Sequence, residues 1–93
     1  MQVKHITLEP NTATHVKLEK KAGEILVKNR TSGDLLVSIE KEDFNENYVN
    51  IPSMMGEVLT ENTRYAASKP YFFDDIYLKS SDGGEVEIRS LTI

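Results

Sequence analysis

"IYLKSSDGGEVEIRSLTI", residues 76–93, is the stretch whose reading decides the fold. Ile76 and Leu78 fall on one face of an alternating pattern, with Tyr77 and Lys79 on the other. A period of two is the mark of a half-buried strand. Ser80 to Gly84 then interrupts the pattern with Gly83-Gly84, which reach positive φ at no steric cost. The stretch therefore predicts strand, tight turn, strand: a closing β-hairpin. The last strand ends on Leu91 and Ile93, apolar residues that predict a chain end held in a sheet by its core side chains.

The same alternation runs back through the chain. Ile6 and Leu8 alternate with polar neighbours, and a turn-like Glu9-Pro10-Asn11-Thr12 follows. Val16 and Leu18 alternate with Lys17 and Glu19, until Lys20-Lys21-Ala22-Gly23 breaks the pattern. Ile25-Leu26-Val27 resumes it and stops at a turn over Asn29 to Gly33. Leu35, Val37 and Ile39 share a face, with Asp34, Ser38 and Glu40 opposite. The polar stretch KEDFNENY (41–48) has one large anchor, Phe44, and Tyr48 to Ile51 is a short strand stopped by Pro52. Val58-Leu59-Thr60 is a further strand, and ENTRYAAS (61–68) is the one stretch that suggests a helical turn. Tyr71 to Lys79 and Glu85 to Ile93 complete the set. About eight short strands, with turn signals every 8–12 residues, point to an antiparallel sandwich or small barrel.

The totals set outer bounds. Ninety-three residues make one domain, 1–93, with no room for a second core. With no cysteine there is no disulfide, thiolate metal site or cysteine nucleophile. MQVKHITLEP lacks the apolar run of a signal peptide, and no apolar run approaches the about 20 residues of a membrane span. The expectation is a soluble protein made in a cytoplasm, with no membrane partner. The Asn29-Arg30-Thr31 sequon is incidental on that expectation. The net charge of −4 is uneven: residues 1–30 carry six basic and three acidic side chains, residues 31–93 five and twelve. If the fold keeps these parts separate, the molecule has a basic and an acidic side able to meet a copy of itself or a lattice. Nucleic acid is a poor partner for an acidic chain whose lysines alternate with glutamates.

The chemistry-bearing residues do not assemble into an enzyme on paper. Asp74 and Asp75 are adjacent on a strand, so they point to opposite faces unless a bulge intervenes. A carboxylate pair for acid–base or metal work needs both to converge. Asp82-Gly83-Gly84-Glu85 joins two strands, whereas phosphate-cradling glycines open a helix. His5 and His15 would share a polar face if residues 3–8 and 14–19 paired as a hairpin, but their spacing matches no metal motif. No Gly-x-Ser-x-Gly context surrounds a serine. The reading is therefore no catalytic residue, no metal and no cofactor. The aromatics are more informative. Tyr71, Phe73, Asp75 and Tyr77 share one face of their strand, while Phe72, Asp74, Ile76 and Leu78 take the core face. Exposed aromatics beside a carboxylate stack on sugars or bury in a partner subunit. Tyr71, Phe73 and Tyr77 are the expected interface anchors, with Lys17, Lys20 and Lys21 as a charged contact.

The order of these signals resembles a known class. A short β-segment, ITLEPNTATHVKL, is followed by ILVKNRTSGDLLVSI, then a polar stretch leading to YVNIP, then IYLKSSDGGEVEIRSLTI. This pattern is similar to that of the small all-β virion proteins of tailed bacteriophages, the head-fibre and capsid-decoration class. The resemblance covers most of the chain at the level of pattern. It implies an all-β, jelly-roll-like antiparallel sandwich that is non-enzymatic and homo-oligomeric. Such a protein would be made in the host bacterial cytoplasm, reside in the virion and bind phage capsid or tail proteins. The alternative reading of the same residues is a carbohydrate- or receptor-binding module, with a glycan as ligand.

Overall fold

The structure, a computed structural model, describes residues 2–39, 42–46, 48–60 and 73–92. Among these residues eight strands form: β1 (Val3–Leu8), β2 (Thr14–Ala22), β3 (Glu24–Asn29), β4 (Leu35–Ile39), β5 (Val49–Ile51), β6 (Gly56–Thr60), β7 (Phe73–Ser80) and β8 (Gly84–Thr92). They build two four-stranded antiparallel sheets, ordered β1-β8-β3-β6 and β2-β7-β4-β5. Each strand of the first half pairs with its counterpart in the second: β1 with β8, β2 with β7, β3 with β6, β4 with β5. That is the strand order of an eight-stranded jelly roll, two sheets closed on one core. The expected all-β sandwich is the fold found. The suggested helical turn over residues 61–68 lies outside the described residues, as do Tyr71, Phe72 and Ile93.

The core follows from the alternation. Ile25 and Val27, Leu35, Val37 and Ile39, Ile76 and Leu78, and Val86 and Ile88 all point between the sheets and are buried. Branched aliphatic side chains suit the pleat and interlock across it. Full burial of each Ile or Leu contributes about 1.5–3 kcal/mol before chain entropy is opposed to it.

Alternation does not choose partners, and here the closing hairpin is overturned. β7 and β8 lie in different sheets and do not pair. Ser81 to Gly83 carry the chain from one sheet to the other. Gly83 (φ 72°) and Gly84 (φ 124°) do take the conformations that glycine makes cheap. Close approach is their second reason. A Cβ on Gly83 would lie 2.8 Å from the Leu8 carbonyl oxygen and 2.9 Å from the Pro10 nitrogen. The β1–β2 link is a second crossing of the same kind, with Asn11 at φ 55°, and the Asn11 N–H donates to the Ser80 carbonyl at 2.7 Å. Two sheet-to-sheet links thus lie side by side. The conditional hairpin of residues 3–8 with 14–19 fails for the same reason, since β1 belongs to one sheet and β2 to the other.

Other expectations need correction. Lys20 to Gly23 does not end a strand. β2 continues to Ala22, which is fully buried, by a register shift against β7 between Lys17 and Ala22. Ser38 is not on a solvated face: it is buried, and its Oγ accepts the Asp43 N–H at 3.1 Å from the segment after β4. Leu91 is not a core residue. Val86, Ile88 and Ser90 point inward on β8, so Leu91 points out and is 41 % exposed. Nor does the fold keep the basic and acidic parts of the chain separate. The jelly-roll order sets β1 and β3 on either side of β8, and β2 beside β7. The charge asymmetry of the sequence becomes strand-to-strand charge pairing.

Candidate functional site

The outward side chains of β7 and its neighbours form the first candidate site. Asp75, Tyr77 and Lys79 point away from the core, as the alternation requires. His15 on β2 stands opposite Tyr77 in the ladder, and their rings stack at 4.7 Å with 17° between planes. The His15 Nε2 lies 2.8 Å from Asp75 Oδ1. Lys17 Nζ reaches both Asp74 Oδ2 at 3.4 Å and Asp75 Oδ1 at 3.7 Å. Adjacent strand carboxylates should diverge. They meet on one ammonium because β2 bulges beyond Lys17. The hydrogen bond that the Lys17 ammonium donates to Asp74 raises the Lys17 pKa above its ordinary 10.5. The hydrogen bond with His15, assisted by Lys17, lowers that of Asp75 below 3.8.

Of the residues expected at the interface, the structure therefore brings together Tyr77 and Lys17, through His15 and Asp75. Lys20 is exposed, and its backbone carbonyl accepts the Gln2 side-chain amide at 2.8 Å. The side chains of Lys21 and Phe73 and all of Tyr71 lie outside the described part. Lys79 places its ammonium 5.9 Å from the centre of the half-buried Phe44 ring, so the segment after β4 lies over this face.

The opposite outer face, on β1-β8-β3-β6, went unread in the sequence. Two rows cross it in register. Val3, Arg89, Leu26 and Val58 form one, and His5, Glu87, Lys28 and Gly56 the other. Val3 is 45 % and Val58 47 % exposed. Glu87 sits at the centre with its side chain only 5 % exposed. Arg89 Nε donates to Glu87 Oε2, Arg30 Nη2 stands 3.5 Å from Oε1, and Lys28 Nζ and His5 Nδ1 each stand 3.9 Å from the carboxylate. Arg89 above all holds the Glu87 carboxyl below its ordinary 4.5, against the opposing effect of desolvation. A signal for this face existed. Ile25-Leu26-Val27 and Val58-Leu59 place apolar residues side by side, and on a strand one of each neighbouring pair must face outward.

Two sequence motifs prove to be structural ties. The Asn29 amide is buried and fully engaged: Nδ2 donates to the Gly33 and Ile51 carbonyls at 2.9 and 2.8 Å, and Oδ1 accepts from Thr31 N and Oγ1 at 2.9 and 2.7 Å. A sequon asparagine in this position has no amide free for a glycan. Thr31 also receives Ser53 Oγ on its carbonyl at 2.6 Å and Ser80 Oγ on its hydroxyl at 3.3 Å. Asp82 accepts the Ser32 hydroxyl at 3.2 Å, which ties one link to another. Among the described residues no group of three or more His, Cys, Asp or Glu side chains is placed to hold a metal ion.

No protein-family model, no curated protein and no solved structure matches this chain.

Proposed function

We propose that this chain is a non-enzymatic structural protein of a tailed-bacteriophage virion that binds a capsid or tail lattice, as a homo-oligomer, in the manner of a decoration or head-fibre protein. The observation that supports this is the jelly-roll strand order combined with an outer sheet face whose row Val3-Arg89-Leu26-Val58 holds two exposed valines and a half-buried leucine. Jelly rolls serve widely as virion and lectin modules, and an apolar row on a sheet is a surface suited to a partner. Tyr71, Phe73, Tyr77, Lys17, Lys20 and Lys21 are the proposed second contact. Quantitative mass spectrometry of gradient-purified particles tests the proposal. Many copies in fixed ratio to the major capsid protein would favour decoration, and a handful would favour a tail or neck position. Absence from particles, with the chain abundant in cells, would sink it.

The second reading, a carbohydrate- or receptor-binding module, draws on Tyr77 and Asp75 sharing the outer face of β7. Stacking of His15 on Tyr77 occupies one face of that ring, so a sugar would have to take the other. Glycan-array binding that disappears with Tyr77→Ala would favour this reading over the first.

A further inference from the structure

One end of the β1-β8-β3-β6 outer face carries a groove of about 280 Å³. Lys28, Asn29 and Arg30 at the end of β3 form one side, and Met54, Met55 and Gly56 at the start of β6 the other. Met54 is 70 % and Met55 57 % exposed, the two most exposed large apolar side chains among the described residues. Met54 also holds φ 63°, a backbone conformation that side chains other than glycine rarely take. It occupies the third position of a turn closed by the Met55 N–H on the Pro52 carbonyl at 3.2 Å, a place that suits glycine. Strained residues of this kind cluster where a side chain must be presented. Methionine is also the apolar side chain that adapts most readily to a partner.

The charge of the groove narrows its occupant. No carboxylate lines it. Glu87 orients Lys28 and Arg30 from beneath, while Arg30 remains 53 % and Lys28 34 % exposed. Two cations on one side, facing two methionines on the other, are complementary to a carboxylate next to an apolar side chain. A polynucleotide is opposed by the chain's net charge of −4 and would leave the methionines unused. A symmetric contact through this groove would set Lys28 and Arg30 against their own copies near the two-fold axis.

We propose that the groove between Met54-Met55 and Lys28/Arg30 docks an acidic, apolar segment of a partner protein. This deepens the reading of the chain as a binding protein, without depending on which particle carries it. The apolar side chains of the segment lie against the methionines and its carboxylates meet Lys28 and Arg30.

The test uses the full chain with ¹³C-methyl-labelled methionine, titrated with a short peptide that alternates Glu with Leu. A matched peptide with Lys in place of Glu is the control. The Met54 and Met55 methyl signals should shift saturably with the acidic peptide and not with the control. The K28E/R30E variant should weaken binding by about tenfold or more. Met54→Gly should raise the thermal midpoint, by relieving the turn, while weakening binding about tenfold. A variant more stable yet poorer at binding separates docking from folding. Three outcomes would overturn the proposal: no shift at peptide saturation of the solubility limit, equal shifts with the lysine peptide, or methyl shifts that follow protein concentration alone with a dimer in sedimentation. The last would assign the groove to a second copy. Particle composition is measured independently, so loss of the virion reading and loss of this groove are distinguishable.

Discussion

The two outer faces of this sandwich are built by the same alternation and meet different fates. On β2-β7-β4-β5 the chain covers itself. Ser38 is buried beneath the segment that carries Asp43, Phe44 packs beside Lys79, and His15 stacks on Tyr77. On β1-β8-β3-β6 the outward row Val3-Arg89-Leu26-Val58 includes two valines that are close to half exposed. Both faces carry a charge cluster, but of opposite construction. Two carboxylates share the exposed Lys17 on the first, and three fixed cations and His5 surround the buried Glu87 on the second. The lesson is that an outward position on a strand is not yet a surface position. Whether it becomes one depends on where the neighbouring loop settles.

The largest effect should come from the core between the two sheets. Leu78→Ala, in the core of β7, should cost about 2–5 kcal/mol in chemical denaturation. Its neighbour Tyr77→Ala should cost well under that, and equal losses would show that Tyr77 is structurally part of the core. Asn29→Ala should follow, at about 1–3 kcal/mol, because it removes the Asn29 partners of the buried Ile51 carbonyl and the Thr31 N–H, while the Gly33 carbonyl keeps the Thr31 hydroxyl. Phe44→Ala sharpens the contrast between faces. It should cost about 1 kcal/mol through lost burial and the lost contact with Lys79, and should increase binding of a hydrophobic dye as the covered face opens. Unchanged dye binding would mean that Phe44 is not its cover. Val58→Lys, on the β1-β8-β3-β6 outer face, should leave stability within about 0.5 kcal/mol, since Val58 is 47 % exposed.

Acid weakens both faces in the same direction, through different partners. Glu87 and Asp75 both have lowered pKa values, so each contributes stability that is complete above the free carboxyl values of 4.5 and 3.8. That contribution fades as pH falls through the lowered folded values. Lys17 runs the other way, contributing below 10.5 and losing its effect as pH rises through its raised folded value. Glu87→Gln should therefore lower the denaturation midpoint at neutral pH and converge with the wild type at the acid end. A constant gap across the acid range would show that packing, not charge, is what Glu87 supplies.

The sequence by itself determined where most strands run and many of their inward residues. Ile76 and Leu78, Leu35 with Val37 and Ile39, Val16 with Leu18, and the glycines at positive φ were legible, because a period of two and a φ preference are properties of a few neighbouring residues. It gave no account of which strands pair. The step from Ser80 to Gly84 reads as a hairpin in one dimension and is a crossing between sheets in three, because both sheets had apolar faces to close on each other. The convergence of Asp74 and Asp75 on Lys17 needed a bulge in a strand distant in sequence, and the groups around Glu87 come from β1, β3, the turn after β3 and β8 itself. Such sites are decided by register between distant segments. Register is set by the cooperative packing of both sheets at once, which no local pattern contains.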